Sequence, residues 1–97
     1  MDNYFWVTSR KIKPDSRGQF EQAWRPPEFP PGLTKAYVLY AEEGDEVVGI
    51  SIWDSAEACH RYRDSDLEAR REAAMDPFVL EERSSFYTGR ELGVPGR

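Results

Sequence analysis

The segment Val47-Val48-Gly49-Ile50-Ser51-Ile52-Trp53 is β-branched and nearly continuous in apolar residues, the pattern of a strand covered on both faces. It runs straight into Asp54-Ser55-Ala56-Glu57, where an Asp three residues ahead of a Glu fits a capping-box helix start. Ala56, Cys59, Tyr62 and Arg63 then share one helical face. Ser65-Asp66 interrupts that face, which predicts a kink or a new cap. Leu67, Ala69, Ala73 and Ala74 resume it, and Pro77 stops it. A strand that needs cover on both faces, feeding a helix that can cover only one, is the main constraint on this chain.

The rest of the chain supplies three more strands and one more helix. Tyr4 to Ile12 is rich in aromatic and β-branched residues and reads as strand one. Phe5, Val7 and Ser9 lie on one of its faces, and Tyr4, Trp6, Thr8 and Arg10 on the other. Pro14-Asp15-Ser16 breaks the strand. Ser16 and Gln19 resemble a capping box, and Phe20, Ala23 and Trp24 give helical spacing up to about Arg25. Pro26, Pro27, Pro30 and Pro31 make the following segment a stiff extended connector. Thr34 to Ala41 is strand two, Glu42 to Glu46 a solvated acidic turn without the spacing of a calcium loop, and Arg83 to Leu92 strand four. Gly93 to Arg97 reads as a frayed tail.

The order β-α-β-β-α-β implies an α+β, ferredoxin-like fold: a four-stranded antiparallel sheet with two helices on one face, in one domain over residues 1–97. Both strand faces are apolar, and two helices cover only one. The other face would be a larger apolar patch than a monomer usually exposes. A second copy is the simplest cover, so a homodimer is expected through the sheet face carrying Trp6, Val38 and Ile50.

Composition excludes several partners. The formal net charge is −5, which argues against a phosphate backbone. The one basic cluster, Arg10, Lys11, Lys13 and Arg17, reads as a solvated edge. Cys59 is the only cysteine, so no internal disulfide forms, and no apolar run reaches membrane-spanning length. The N-terminus has no leader pattern, and a cytoplasmic location without nucleic acid or membrane is expected. One His and one Cys cannot build the usual zinc site. No dinucleotide, P-loop or nucleophile-elbow motif is present, so neither metal nor cofactor is expected.

Val7-Thr8-Ser9-Arg10, Phe20 to Trp24, and Trp53-Asp54-Ser55-Ala56-Glu57-Ala58 with Tyr62 and Ser65-Asp66 resemble the antibiotic biosynthesis monooxygenase-like domains of the dimeric α+β barrel superfamily. The resemblance covers nearly the whole chain. It implies a homodimer packed sheet on sheet and a ligand pocket between sheet and helices within each subunit. It also implies either cofactor-independent oxygenation of aromatic polyketides and quinols, or haem degradation. The haem-degrading branch uses an Asn on strand one, a Trp on helix two and a His ten residues later. Ser9, Tyr62 and Glu72 stand at those positions here, and a carboxylate is a poor haem ligand. Haem degradation is disfavoured.

For an oxygenase, His60 is the candidate proton acceptor, Tyr62 the donor to a substrate oxygen and Ser9 a second polar contact. Phe5, Val7, Trp24, Trp53, Cys59 and Arg63 would wall the pocket. Six of them have a plainer reading. His60 can lie on the outer helix face, Tyr62 can satisfy a backbone group, Cys59 can be a small buried hydrophobe, the tryptophans can be core, and Arg63 can snorkel. Two function classes stand: a cofactor-independent monooxygenase acting on a small electron-rich phenol or quinol, and a non-catalytic small-ligand-binding or structural homodimer.

Overall fold

A computed structural model describes residues 2–96. Four strands, β1 (Asn3–Ile12), β2 (Leu33–Tyr40), β3 (Glu46–Trp53) and β4 (Val79–Gly89), form one antiparallel sheet in the order β2-β3-β1-β4. Helix α1 (Arg17–Trp24) crosses between β1 and β2, and helices α2 (Ala56–Arg63) and α3 (Asp66–Met75) between β3 and β4. The expected α+β, ferredoxin-like order is therefore present, with the second helix split in two.

The split has a local cause. Ser65 ends the first helix and caps the next. Its Oγ donates to Tyr62 O at 2.6 Å and accepts from Glu68 N at 3.2 Å. The first cap is Ser55 rather than Asp54, its Oγ accepting from Ala58 N at 3.1 Å. Ser16 precedes α1, but its hydroxyl turns to Lys13 O at 2.6 Å and leaves the helix start without a side-chain cap. Strand four begins four residues earlier than its sequence pattern suggested. Glu81 pairs opposite Lys11, and Glu82 bonds to Arg10, so opposite charges across the ladder hold these acidic residues in the strand.

The helices cover the face of β1 that carries Trp6, Thr8, Arg10 and Ile12, all buried. Two core clusters lie there. Trp6, Trp53, Cys59 and Tyr62 form one; Ile12, Phe20, Val47 and Met75 form the other. Among the described residues no element covers the opposite face, which presents Phe5, Val7, Val48, Ile50 and Ile52 with the exposed Tyr37 and Leu39.

This parity corrects the expected interface. Residues paired across strands share a face. Trp6 pairs with Ser51, and Val38 with Gly49, which pairs with Thr8. Trp6 and Val38 therefore lie under the helices, whereas Ile50, opposite Val7 and Tyr37, lies on the bare face. The three residues do not make one patch. No helix among the described residues is long and apolar enough to cross a membrane.

Candidate functional site

A cavity of about 320 Å³ opens between the two core clusters. Trp6 of β1, Trp53 of β3 and Tyr62 of α2 form one wall. Trp24, at the end of α1, forms another. The proline-rich connector closes the mouth with Pro26, Pro30 and Phe29, the last 75% exposed. The connector, with four prolines, has neither helix nor strand; it bends at Pro27 and Glu28 and turns at Pro31 and Gly32 beside the opening.

The floor depends on Gly49. A Cβ there would sit 2.8 Å from Thr8 Oγ1 and 2.9 Å from Trp24 Nε1. Glycine in a strand interior marks such close approach, and here it lets the Trp24 indole lie down on the sheet. Gly32, at φ +91°, plays a different part. A Cβ on it would meet Ala58 Cβ at 2.5 Å, and its carbonyl accepts from Asp54 N at 2.9 Å. It ties the connector to the strand–helix join.

The back of the cavity is an ion pair. Arg71 donates from Nε to Glu68 Oε1 at 2.6 Å and from Nη2 to Glu68 Oε2 at 3.1 Å. Its Nη1 donates to Trp24 O at 2.8 Å, which joins α3 to the end of α1. The guanidinium carbon lies 5.9 Å from the ring centres of both Trp6 and Trp24. Both side chains of the pair are almost fully buried, at 8% exposed for Arg71 and 4% for Glu68. Burial pushes the neighbouring Tyr62 phenol up to about 12, partly offset by Arg71 and reinforced by Glu68. Tyr62 thus stays protonated at neutral pH and can donate a hydrogen bond.

Some expected site residues meet here and others do not. Trp24, Trp53 and Tyr62 line the cavity. Cys59 lies behind it, packed with Trp6, Trp53 and Tyr62, and burial pushes its thiol up to about 11. A neutral thiol at that depth is core, not nucleophile. Phe5, Val7 and Ser9 lie outside the cavity lining, because their strand parity sends them to the bare face, where Ser9 donates to Glu46 Oε2 at 2.9 Å. His60 is exposed and outside the lining. Its Nε2 lies 3.0 Å from Tyr4 Oη, and its ring packs 5.2 Å from that of Phe86. Arg63 also faces outward, its guanidinium 4.8 Å above the Phe86 ring. One helix residue separates His60 from Tyr62, a rotation of about 200°, so the two could not share a face.

Sequence reasoning passed over Arg71, Glu68, Thr8, Phe29 and Gly49. Two signals were present: an isolated glycine inside a strand, and an acid and an arginine three residues apart on a helix.

No family model matches the sequence, and no curated protein matches it. Solved structures do. A candidate antibiotic biosynthesis monooxygenase from Caulobacter crescentus CB15 superposes with a TM-score of 0.79 at 17% identity, over 92% of this chain and 91% of that one. The chain carries the antibiotic biosynthesis monooxygenase-like fold. A variant of SnoaB, a cofactor-independent oxygenase from Streptomyces nogalater, matches at 0.76 and 16% identity, over 95% and 97%. A candidate of the same kind from Chloroflexus aurantiacus J-10-fl matches at 0.75 and 16%, over 97% of each chain. At such identities the likeness is one of fold, and the chemistry rests on the cavity.

Proposed function

We propose that this antibiotic biosynthesis monooxygenase-like chain is a cofactor-independent monooxygenase acting on a small electron-rich aromatic, a phenol or quinol. The observation that carries the reading is the cavity: three tryptophans and a tyrosine around a space of about 320 Å³, with few polar groups, in the fold that SnoaB also has. Apolar walls with sparse polar groups suit a flat aromatic ligand. In an anthrone-like substrate, the ring methylene would lose two hydrogens and take one oxygen atom. The other oxygen atom would leave with those hydrogens as water, and the substrate would supply all the electrons. The protein's part would be orientation between the Trp6, Trp24 and Trp53 rings, a hydrogen bond from Tyr62 to the substrate oxygen, and exclusion of water by Phe29 and the connector.

The bare sheet face supports a homodimer as the working form. Its apolar side chains need cover, and a standard interface buries roughly 1,600 Å² in total. Ile50, Val7 and Tyr37 would lie near its centre.

The test is oxygen uptake with a panel of anthrones and quinols, without added flavin or metal. Turnover above the uncatalysed rate supports the reading. Tyr62→Phe should then lower kcat about tenfold or more, within the range of a lost transition-state donor. Absence of turnover with every substrate would favour a ligand-binding dimer.

A further inference from the structure

The cavity wall offers a ligand N–H donors, and its Thr8 and Ser51 hydroxyls already have partners. Thr8 Oγ1 already accepts from Arg10 Nη1 at 2.8 Å, and Ser51 Oγ from Trp53 Nε1 at 2.8 Å. Trp24 Nε1 has no partner among the described residues, and an indole can only donate. Arg71 has five N–H groups. Glu68 takes two, Trp24 O one, and Met75 Sδ makes a long contact at 3.9 Å with Nη1. One Nη2 N–H is left, and the Tyr62 hydroxyl lies close to the guanidinium and to Glu68.

The charges agree with the donors. The chain as a whole is acidic, at −5, yet the cavity lining contains Arg25 and Arg71 and no Asp, Glu or His. Glu68 offsets Arg71, but it is not part of the lining, so the cavity meets the positive end of the pair. Arg25, at the end of α1, has an exposed side chain that pairs with no carboxylate among the described residues. The ionisable groups facing the space are thus Arg25 from α1, Tyr62 from α2, and Arg71 from α3 with Glu68 behind it. β1 and β3 contribute no ionisable side chain there.

Building on the oxygenase reading, we infer that the cavity takes its aromatic ligand as a ring oxyanion, a phenolate or enolate, held by Arg71 and Trp24 Nε1 with Arg25 at the mouth. No base on the wall has to remove the proton. The anion, already formed, is selected from solution, and it is also the electron-rich form that gives up electrons to oxygen. His60, outside the cavity, has no part in the step.

The experiment uses redox-inert probes, so it does not depend on turnover. Under argon, 4-nitrophenol is titrated by absorbance across pH with and without the protein, and 4-nitroanisole serves as the ring that cannot ionise. An opposite charge at close range shifts a pKa by about 1–3 units. The bound nitrophenol should therefore ionise at least about one unit lower than free, with the phenolate binding at least about tenfold tighter than the anisole. Arg25→Gln should shrink that preference severalfold while leaving the buried pair intact. Removing Arg71 alone would strand Glu68, so the joint Glu68→Gln, Arg71→Gln protein is the second variant, and it should abolish the preference. Equal binding of the two probes, preference for the neutral ring, no binding of either, or a preference surviving both variants would overturn the inference. Oxygen uptake is independent of these outcomes. A phenolate-selective protein without turnover would sink the oxygenase reading alone, and a competent oxygenase without phenolate preference would sink this inference alone.

Discussion

The two faces of the sheet differ in a way that runs against the usual pattern for a half-covered sheet. The helix-covered face is interrupted by Thr8, Arg10, Gly49, Ser51 and Glu82, while the bare face presents Phe5, Val7, Val48, Ile50, Ile52, Tyr37 and Leu39. Ordinarily the covered face is apolar and the solvated one polar. The proposed function gives each face a separate task. Polar groups under the helices are tolerated because they have partners: Arg10 reaches both Thr8 and Glu82, and Arg71 reaches Glu68 and Trp24. Thr8, Ser51 and Arg71 among them line the cavity at one end of the core. On the bare face the polar groups, such as Ser9 with Glu46, lie toward one end, and the apolar surface around Ile50 is suited to a second copy.

The comparison breaks most severely if the covered face loses its packed end. Phe20 is fully buried between Ile12, Val47 and Met75. Phe20→Ala should cost about 3–5 kcal/mol in chemical denaturation, through lost transfer energy and the cavity left behind. On the bare face the corresponding change should act on association. Ile50→Glu should weaken self-association by about 2 kcal/mol or more, read by sedimentation or light scattering, with the helical circular dichroism of the chain retained. A monomeric wild type would remove the second task altogether.

Smaller effects sharpen the contrast. Burial pushes the Cys59 thiol from 9.0 to about 11, with Arg63 opposing and Glu68 adding to the shift. The folded value is the higher one, so the neutral thiol's contribution is complete below about pH 9 and is lost as pH rises toward 11. The loss is bounded by about 3 kcal/mol. Urea midpoints measured from pH 8 to 11 should fall for the wild type and fall less for Cys59→Ala. Tyr62 and Tyr40, both pushed up to about 12, add their own loss between about pH 10 and 12. Smallest is the cap between α2 and α3. Ser65→Ala removes the acceptor for Glu68 N and should cost about 1 kcal/mol in the same assay.

The sequence by itself determined the fold class. Periodicity, proline positions and element order carry that information locally, and each element lies within a few residues of its expected place. It also determined that one sheet face would lack a helix, because burial demand exceeded the helices available. Only the tertiary structure decided which residues meet. A strand's alternation says that Val7 and Trp6 face opposite ways, but not which way is in; the register against β3 settles that, and with it Phe5, Val7 and Ser9 leave the cavity lining. Helical spacing placed Tyr62 inward, yet the partner that gives its phenol a chemical setting, the Glu68–Arg71 pair, comes from a different helix, beyond the break that Ser65 caps. Trp24 joins them from the far side of the sheet's covered face because Gly49 leaves room for its ring. Elements follow from short-range pattern, whereas a site is a set of long-range approaches, each fixed by packing that no single stretch of sequence contains.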